Sequence, residues 1–493
     1  MARWIEPNEP HSVVRRGVEA SMPESGEIDL SGLSWMQCGR DWFVIHGDTG
    51  GWVLLRDDER LQIEGLADGT DIAQVDAPVL RRLLGTLWAR RLVTIGGETA
   101  GGTVDWDDMV EETRQHYGLV MVLNSGCNLA CTYCYLGHND PSPENDLDQA
   151  LARAAIDGAL ARPESKIVID FGEVTVAPGN FFLLAEYARE RAAEAGKDLS
   201  IALQTNGTTL TQTMVDALIP LDPILGVSLD GPAELHDLAR PRRGGRPTHS
   251  LVVAGIRRCQ EAGLNVHVIA TIGAHNVDNP DSVLDQIAEL NPTTFLCKPI
   301  LAHGEAKDAW DAQGADPWRI AKFLDRSVTR VEQHGLGALD QSASKFLLRL
   351  IGDGRGWREG CTSRNCSSGR NLHVLSAHGE LHSCPRFVEP GRGKAVTPGS
   401  VSLELTGRPL LADELRSTPA SCAGCPWLRT CGGGCTLSGH EDDTARAPLP
   451  DQHCMSYDAQ HQALVGSVLP ALFEGRIPFD MALAGARLVD DGG

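Results

Sequence analysis

The sequence predicts an α/β protein built on a parallel sheet, preceded by a small α/β unit and followed by a cysteine-rich region. Three observations carry this expectation. Short apolar runs alternate with amphipathic helical stretches from about residue 118 to 335. The cysteines fall into a tight group at 127–134 and a set of eight between 361 and 454, with Cys38, Cys259 and Cys297 isolated. A glycine-rich stretch from Gly96 to Gly102 has the composition of a linker after the first compact unit. A chain of 493 residues is too long for one core at about 150 residues per domain. These marks divide it into 1–104, 105–340 and 341–493.

In the first part, 41–46 and 52–55 read as strands around a turn at 47–51, and 77–88 reads as a helix. Val79, Leu80, Leu83, Leu84 and Leu87 form one apolar stripe on that helix, so one face is expected to be buried. Residues 91–95 close the unit. In the second part the strand candidates are 118–123, 166–171, 199–204, 224–230, 265–271 and 294–299, with helical stretches such as 179–195 and 249–262 between them. Strands joined by crossover helices make a parallel sheet, here curved into a full or partial barrel. Such folds place their chemistry at the carboxyl ends of the strands.

Charge narrows the function classes. The balance of 44 Lys and Arg against 66 Asp and Glu leaves a net charge of −22. That repels polyanions and excludes a general nucleic-acid binder, while a local basic site stays open. A hydrophobic content of 42% with 22% charged residues is that of a globular protein. No run approaches the roughly 20 apolar residues of a membrane span, and Met1 to Pro10 has no apolar signal-like core. The expectation is a cytoplasmic protein without a membrane partner. In that compartment thiols stay reduced, so the fourteen cysteines are expected as metal ligands rather than disulfides. Cys38, Cys259 and Cys297 fit no ligand spacing and are expected as plain buried thiols.

The first group, Cys127-x3-Cys131-x2-Cys134, follows directly on the first strand of the second part. Three thiolates on one loop suit three corners of a four-iron cluster and leave the fourth iron open. A structural zinc site would need a fourth protein ligand, for which His138 is the local candidate. With Tyr133 ahead of the last cysteine, the motif resembles that of the radical S-adenosylmethionine (SAM) enzymes, whose fold is a partial (β/α)6 barrel. The resemblance implies that the open iron chelates SAM and that the reduced cluster cleaves it to a 5′-deoxyadenosyl radical. Phe171-Gly172-Glu173-Val174 lies where members have Gly-Gly-Glu-Pro, placing Glu173 at the SAM ammonium despite changes at both flanks. Gln204 and Asn206 end the third strand, and Ser228 and Asp230 the fourth, as contacts to SAM or substrate. Arg240, in His236-Asp237-Leu238-Ala239-Arg240, matches the arginine whose guanidinium fork suits the SAM carboxylate.

The second group runs Cys366-x12-Gly379-x4-Cys384, then Cys422-x2-Cys425-x5-Cys431-x3-Cys435, then Cys454. It resembles the SPASM domain attached to many radical SAM enzymes. With Cys361, that resemblance implies two auxiliary four-iron clusters. Cys361, Cys366, Cys384 and Cys435 would hold one, and Cys422, Cys425, Cys431 and Cys454 the other. Three [4Fe-4S] clusters and SAM are therefore the expected cofactors, with ferredoxin or flavodoxin as electron donor. The first hundred residues resemble the winged-helix-like elements that hold a leader peptide along a sheet edge. Together these imply a maturase that crosslinks a ribosomal precursor peptide. Two alternatives stay open: sulfatase-type oxidation of Ser or Cys to formylglycine, and a catalytically inactive peptide-binding scaffold. Against the former, that family has an Asp after the cysteine at Cys384, where this chain has Pro385-Arg386.

Overall fold

A computed structural model describes residues 21–102, 116–134, 142–351, 366–407, 422–435, 451–478 and 481, apart from 68, 175, 301, 303, 304, 386, 387 and 389. The described residues form two units, one drawn from 1–113, 343–366 and 414–486, the other from 114–342 and 367–413. No described helix is long and apolar enough to cross a membrane.

The first unit holds β1 (Ile28–Asp29), β2 (Leu33–Cys38), β3 (Asp41–His46), β4 (Trp52–Leu55) and β5 (Thr94–Ile95). Strands β2, β3 and β4 form an antiparallel sheet in that order, and β1 pairs with β5. Acidic side chains favour the positive end of the helix dipole, and Asp57, Asp58 and Glu59 open the helix Asp57–Glu64, with Glu59 accepting from the Arg56 N–H at 3.0 Å. The second helix, Pro78–Ala89, starts with Pro, whose missing N–H costs nothing at that position. Leu83, Leu84 and Leu87 enter a core with Val44, Leu55, Ile63 and Ile95. The expected stripe is narrower than its five members, because Val79 on the first turn is 53% exposed. In the same unit helix Asp451–Phe473 packs on β2.

The second unit contains all six expected strands: β6 (His116–Met121), β7 (Lys166–Asp170), β8 (Asp198–Thr205), β9 (Ile224–Ser228), β10 (Val266–Ile272) and β11 (Thr294–Pro299). They pair in parallel in chain order. Buried positions alternate along β6, where Tyr117, Leu119 and Met121 are inside. Several ends shift by a residue or two, because residues 122–123 and 229–230 already turn away into loops. Among the described residues β10 is the only strand paired with β11, which otherwise makes a single bridge from Phe295 to Asp340, so the parallel set is open rather than a closed ring. Its other edge is extended: β12 (Leu372–Leu375) runs parallel to β6, followed by β13 (Glu380–His382) and β14 (Lys394–Ala395). The Tyr117 hydroxyl meets His373 Nδ1 at 3.1 Å across the β6–β12 seam.

Candidate functional site

At the carboxyl ends of these strands, Asn124 shapes the start of the cysteine loop. Its Oδ1 accepts the Gly126 N–H at 2.7 Å, and its Nδ2 donates to the Ser142 carbonyl at 2.9 Å. The loop is then stitched along its backbone to residues 239–243. Ala130 N–H donates to Pro241 O at 2.9 Å, Thr132 N–H to Ala239 O at 3.0 Å, and Leu129 bridges Arg242. Cys131 is buried, and Cys127 and Cys134 are half-buried. Burial pushes the thiols of Cys127 and Cys131 up to about 11, so near neutral pH they are protonated until a cation draws off the proton.

Two N–H groups point at Cys127 Sγ, from Leu129 at 3.4 Å and from Asn206 Nδ2 at 3.7 Å. Hydrogen bonds of this kind to sulfur tune iron–sulfur ligands. Asn206 is itself fixed: its Oδ1 accepts the Thr208 hydroxyl at 2.7 Å, and its Nδ2 also donates to Asn128 Oδ1 at 2.9 Å. Glu173 sits on the same corner, held by the Thr205 hydroxyl at 2.8 Å and the Asn206 N–H at 2.6 Å. Glu173, Asn206 and Cys127 are thus brought together from β7, β8 and the cysteine loop. No three His, Cys, Asp or Glu side chains among the described residues converge on a single-ion site. Cys131 lies within electrostatic reach of both Cys127 and Cys134, and three thiols on one loop are donors of the kind an iron–sulfur cluster takes.

Gln204 and Ser228 form a second pair, with Gln204 Nε2 donating to Ser228 Oγ at 3.3 Å. Asp230 and Arg240 form a third group, centred on Tyr133. The Tyr133 hydroxyl donates to Asp230 Oδ2, and Arg240 Nη1 donates to the Tyr133 oxygen at 2.6 Å. Asp230 is fully buried, and its other oxygen accepts the Thr271 N–H at 3.0 Å. Burial alone would raise its pKa, but Arg240 and His275 outweigh that and hold the carboxyl at about 2. Arg240 Nε is buried without a hydrogen-bond partner, a donor ready for an anionic group.

His275 is a site residue that the strand-end motifs of the sequence do not single out. It follows β10, stacks on Tyr133 at 5.7 Å and lies 3.4 Å from Asp230 Oδ2. Its position in Gly273-Ala274-His275-Asn276, just past a strand, is the signal that could have found it. Asn276 beside it donates to the Asp230 carbonyl at 3.0 Å.

In the first unit, Cys425 lies within electrostatic reach of Cys422 and Cys454, and Cys431 within reach of Cys425 and Cys422. Burial raises the Cys425 thiol, with Cys422 and Cys454 adding to the rise, and pushes Cys431 up to about 12. Three consecutive glycines, Gly432 to Gly434, have φ of 65°, 81° and 71°, a left-handed run that side chains resist. Cys366 and Cys435 are half-buried in this unit, and Cys384 is half-buried in the other. Cys361 and His138 lie outside the described residues. Cys38, Cys259 and Cys297 are buried.

Residues 121–288 match the Radical SAM superfamily. The serine-type anaerobic sulfatase-maturating enzyme of Bacteroides thetaiotaomicron is 24% identical over 347 residues, 65% of this chain and 82% of that protein. Two solved structures share the fold. The anSMEcpe structure with bound AdoMet and Cp18Cys peptide has a TM-score of 0.60 at 19% identity, covering 73% of this chain and 98% of that one. Streptococcus suis SuiB bound to precursor peptide SuiA has a TM-score of 0.51 at 14% identity, covering 86% and 99%. The family implies SAM and a [4Fe-4S] cluster, and the cysteine loop with its neighbouring Glu173 fits both. The chain carries a radical SAM domain and is a homologue of the anaerobic sulfatase-maturating enzymes.

Proposed function

We propose that this protein is a radical SAM oxidoreductase that modifies a side chain of a peptide or protein. The observation that carries the reading is the cysteine loop clamped to residues 239–243 with Glu173 and Asn206 at its first thiol. Cys127, Cys131 and Cys134 would hold the SAM-binding cluster. When bound, cluster and SAM supply a 5′-deoxyadenosyl radical able to take a hydrogen atom from a substrate C–H bond. Glu173, aligned by Thr205 and the Asn206 N–H, accepts from the SAM ammonium. Arg240 offers its partnerless Nε to the SAM carboxylate, while its Nη1 and Asp230 keep Tyr133 in place. Gln204 and Ser228 line the neighbouring strand ends as further contacts to SAM or substrate.

Two auxiliary clusters, one on Cys361, Cys366, Cys384 and Cys435 and one on Cys422, Cys425, Cys431 and Cys454, belong to the same reading. The nearness of Cys425 to Cys422 and Cys454, and of Cys431 to Cys425 and Cys422, supports the second of them. The finer reading is a crosslink within a ribosomally made precursor peptide held by the N-terminal sheet. SuiB, crystallised with a precursor peptide, supports a peptide substrate in a protein of this fold. A second reading, oxidation of Ser or Cys to formylglycine, is favoured by relatives named as sulfatase-maturating enzymes. Pro385 in place of a carboxylate directly after Cys384 weighs against it.

The test is mass spectrometry of a candidate peptide after anaerobic incubation with cluster-loaded protein, SAM and reductant. A crosslink is expected to remove two hydrogens and block fragmentation between two residues. Formylglycine made from Ser removes two hydrogens as well, but leaves an aldehyde that a hydrazide captures. An unmodified peptide with no 5′-deoxyadenosine formed by the fully loaded protein would sink both readings and leave the scaffold alternative.

A further inference from the structure

In a chain of net charge −22, residues 240–246 carry four arginines in seven positions and no acid. Gly244 and Gly245, at φ of 81° and 79°, turn the backbone so that Arg242 N–H donates to Arg246 O at 2.8 Å. Nothing lies within 4 Å of where a Cβ on either glycine would stand, so the tip of the turn is open. Arg246 is exposed and Arg242 half-buried. Arg242 Nε is buried without a hydrogen-bond partner, and neither arginine has an acidic partner among the described residues. Asp237, the carboxylate nearest in sequence, is committed to the backbone N–H groups of Thr248 and His249 at 2.7 and 2.8 Å.

The same segment borders the candidate reaction centre. Arg243 Nε donates to the Cys127 carbonyl at 2.9 Å, and Ala130 N–H donates to Pro241 O at 2.9 Å. Arg240, the contact proposed for the SAM carboxylate, stands two residues before Arg242, so their Cα atoms are at most about 7 Å apart. A ligand gripped by Arg242 and Arg246 is thus held next to the SAM contact, where a substrate C–H bond has to be brought. The chemistry of the grip is set by the guanidinium fork, whose paired N–H groups match the two oxygens of a carboxylate.

We propose that Arg242 and Arg246 form a substrate-specificity site that selects a peptide segment carrying Asp or Glu close to the residue attacked. The proposal rests on the radical SAM reading and names the substrate class which that reading leaves open. The net charge of the chain would by itself draw basic peptides and repel acidic ones. An acidic preference therefore has to come from a local patch of opposite sign, and it weakens as salt screens the charges. An acidic electron-carrier protein is the competing occupant. The peptide is favoured because the patch is continuous with Arg240, and only the substrate has to touch SAM.

The experiment exposes the full, cluster-loaded protein, with SAM and without reductant, to a pool of short peptides randomised at every position, and sequences the bound fraction at low and high salt. Asp and Glu are expected to be enriched over Lys and Arg by about tenfold at low salt, and less at high salt. Arg246→Glu is expected to remove most of that enrichment and the Arg242→Glu/Arg246→Glu double variant to invert it, while Arg246→Lys keeps it. SAM binding by equilibrium dialysis is expected to be unchanged in all three. Should the double variant lose SAM, the exposed Arg246→Glu variant decides by itself. A wild-type bound fraction without acidic enrichment overturns the proposal, as does enrichment that survives charge reversal. Survival together with loss of 5′-deoxyadenosine from reduced flavodoxin, but not from dithionite, would give the patch to the carrier. Peptide selection is read without turnover, so it stands or falls separately from the reaction, which 5′-deoxyadenosine formation by the wild type with dithionite tests alone.

Discussion

Tyr133 is one side chain between two cysteines, yet its hydroxyl joins Asp230 to Arg240. Burial raises its own pKa well above the usual phenol range, with Asp230 adding to the rise and Arg240 opposing it, so it stays a neutral donor. Tyr133→Phe removes the link and leaves a buried carboxylate one donor short, which should cost about 1–3 kcal/mol. Urea denaturation of the apoprotein checks this; an unchanged midpoint would show that the hydroxyl contributes nothing. A glycine gives a second prediction. A Cβ on Gly226 would lie 2.6 Å from Gln204 Oε1, so Gly226→Ala should displace Gln204 from Ser228. The expected result is weaker SAM binding, by equilibrium dialysis, with little change in folding. At this scale the sequence was legible where chemistry demands a residue type at a fixed spacing, as with Cys127, Cys131 and Cys134. The roles of Tyr133, Thr205 and His275 were not legible, because each depends on a partner 32 to 142 positions away.

Helices and strands were legible wherever apolar periodicity was undisturbed. The six parallel strands appear within a residue or two of their expected places, since period-two burial and crossover length both constrain them. Strand β12 was hidden because four residues, Leu372–Leu375, are too short to show a period, and its partner β6 is some 250 positions earlier. Short helices depend on what they pack against. Helix Gln149–Leu160 presents Gly158 to helix Val401–Thr406, where a Cβ would fall 2.9 Å from the Ser402 Cα. Gly158→Ala, normally worth up to about 1 kcal/mol in a helix, should here destabilise by about 1–3 kcal/mol through overpacking against backbone. A thermal melt that rises instead of falling would show that the two helices separate freely.

For the whole molecule, acid sensitivity follows from histidines buried without charge. Burial is the first cause in each: it lowers His236 and His373 to about 4 and His461 to about 3. Unfolded histidines titrate near 6.5, so below that pH the unfolded chain binds protons that the folded chain refuses. Stability is therefore expected to be full above about pH 6.5 and to fall progressively toward pH 4, as urea midpoints measured across that window would record. Asp230, held at about 2, contributes in the same direction below pH 4, since its stabilisation is lost as pH falls through its folded value. A flat profile from pH 7 to 5 would mean that these rings open to solvent readily.

The first unit is assembled from segments far apart in the sequence, with helix Asp451–Phe473 lying on β2. On a ribosome that order has a cost in time. Strands β6 to β11 can pair soon after they emerge, whereas β2 waits through more than four hundred further residues for its covering helix. A strand made before the parallel sheet is thus finished after it. During that wait the apolar side of the N-terminal sheet is a ready target for chaperones or for another nascent chain, and a slower passage through the middle of the message would lengthen the exposure.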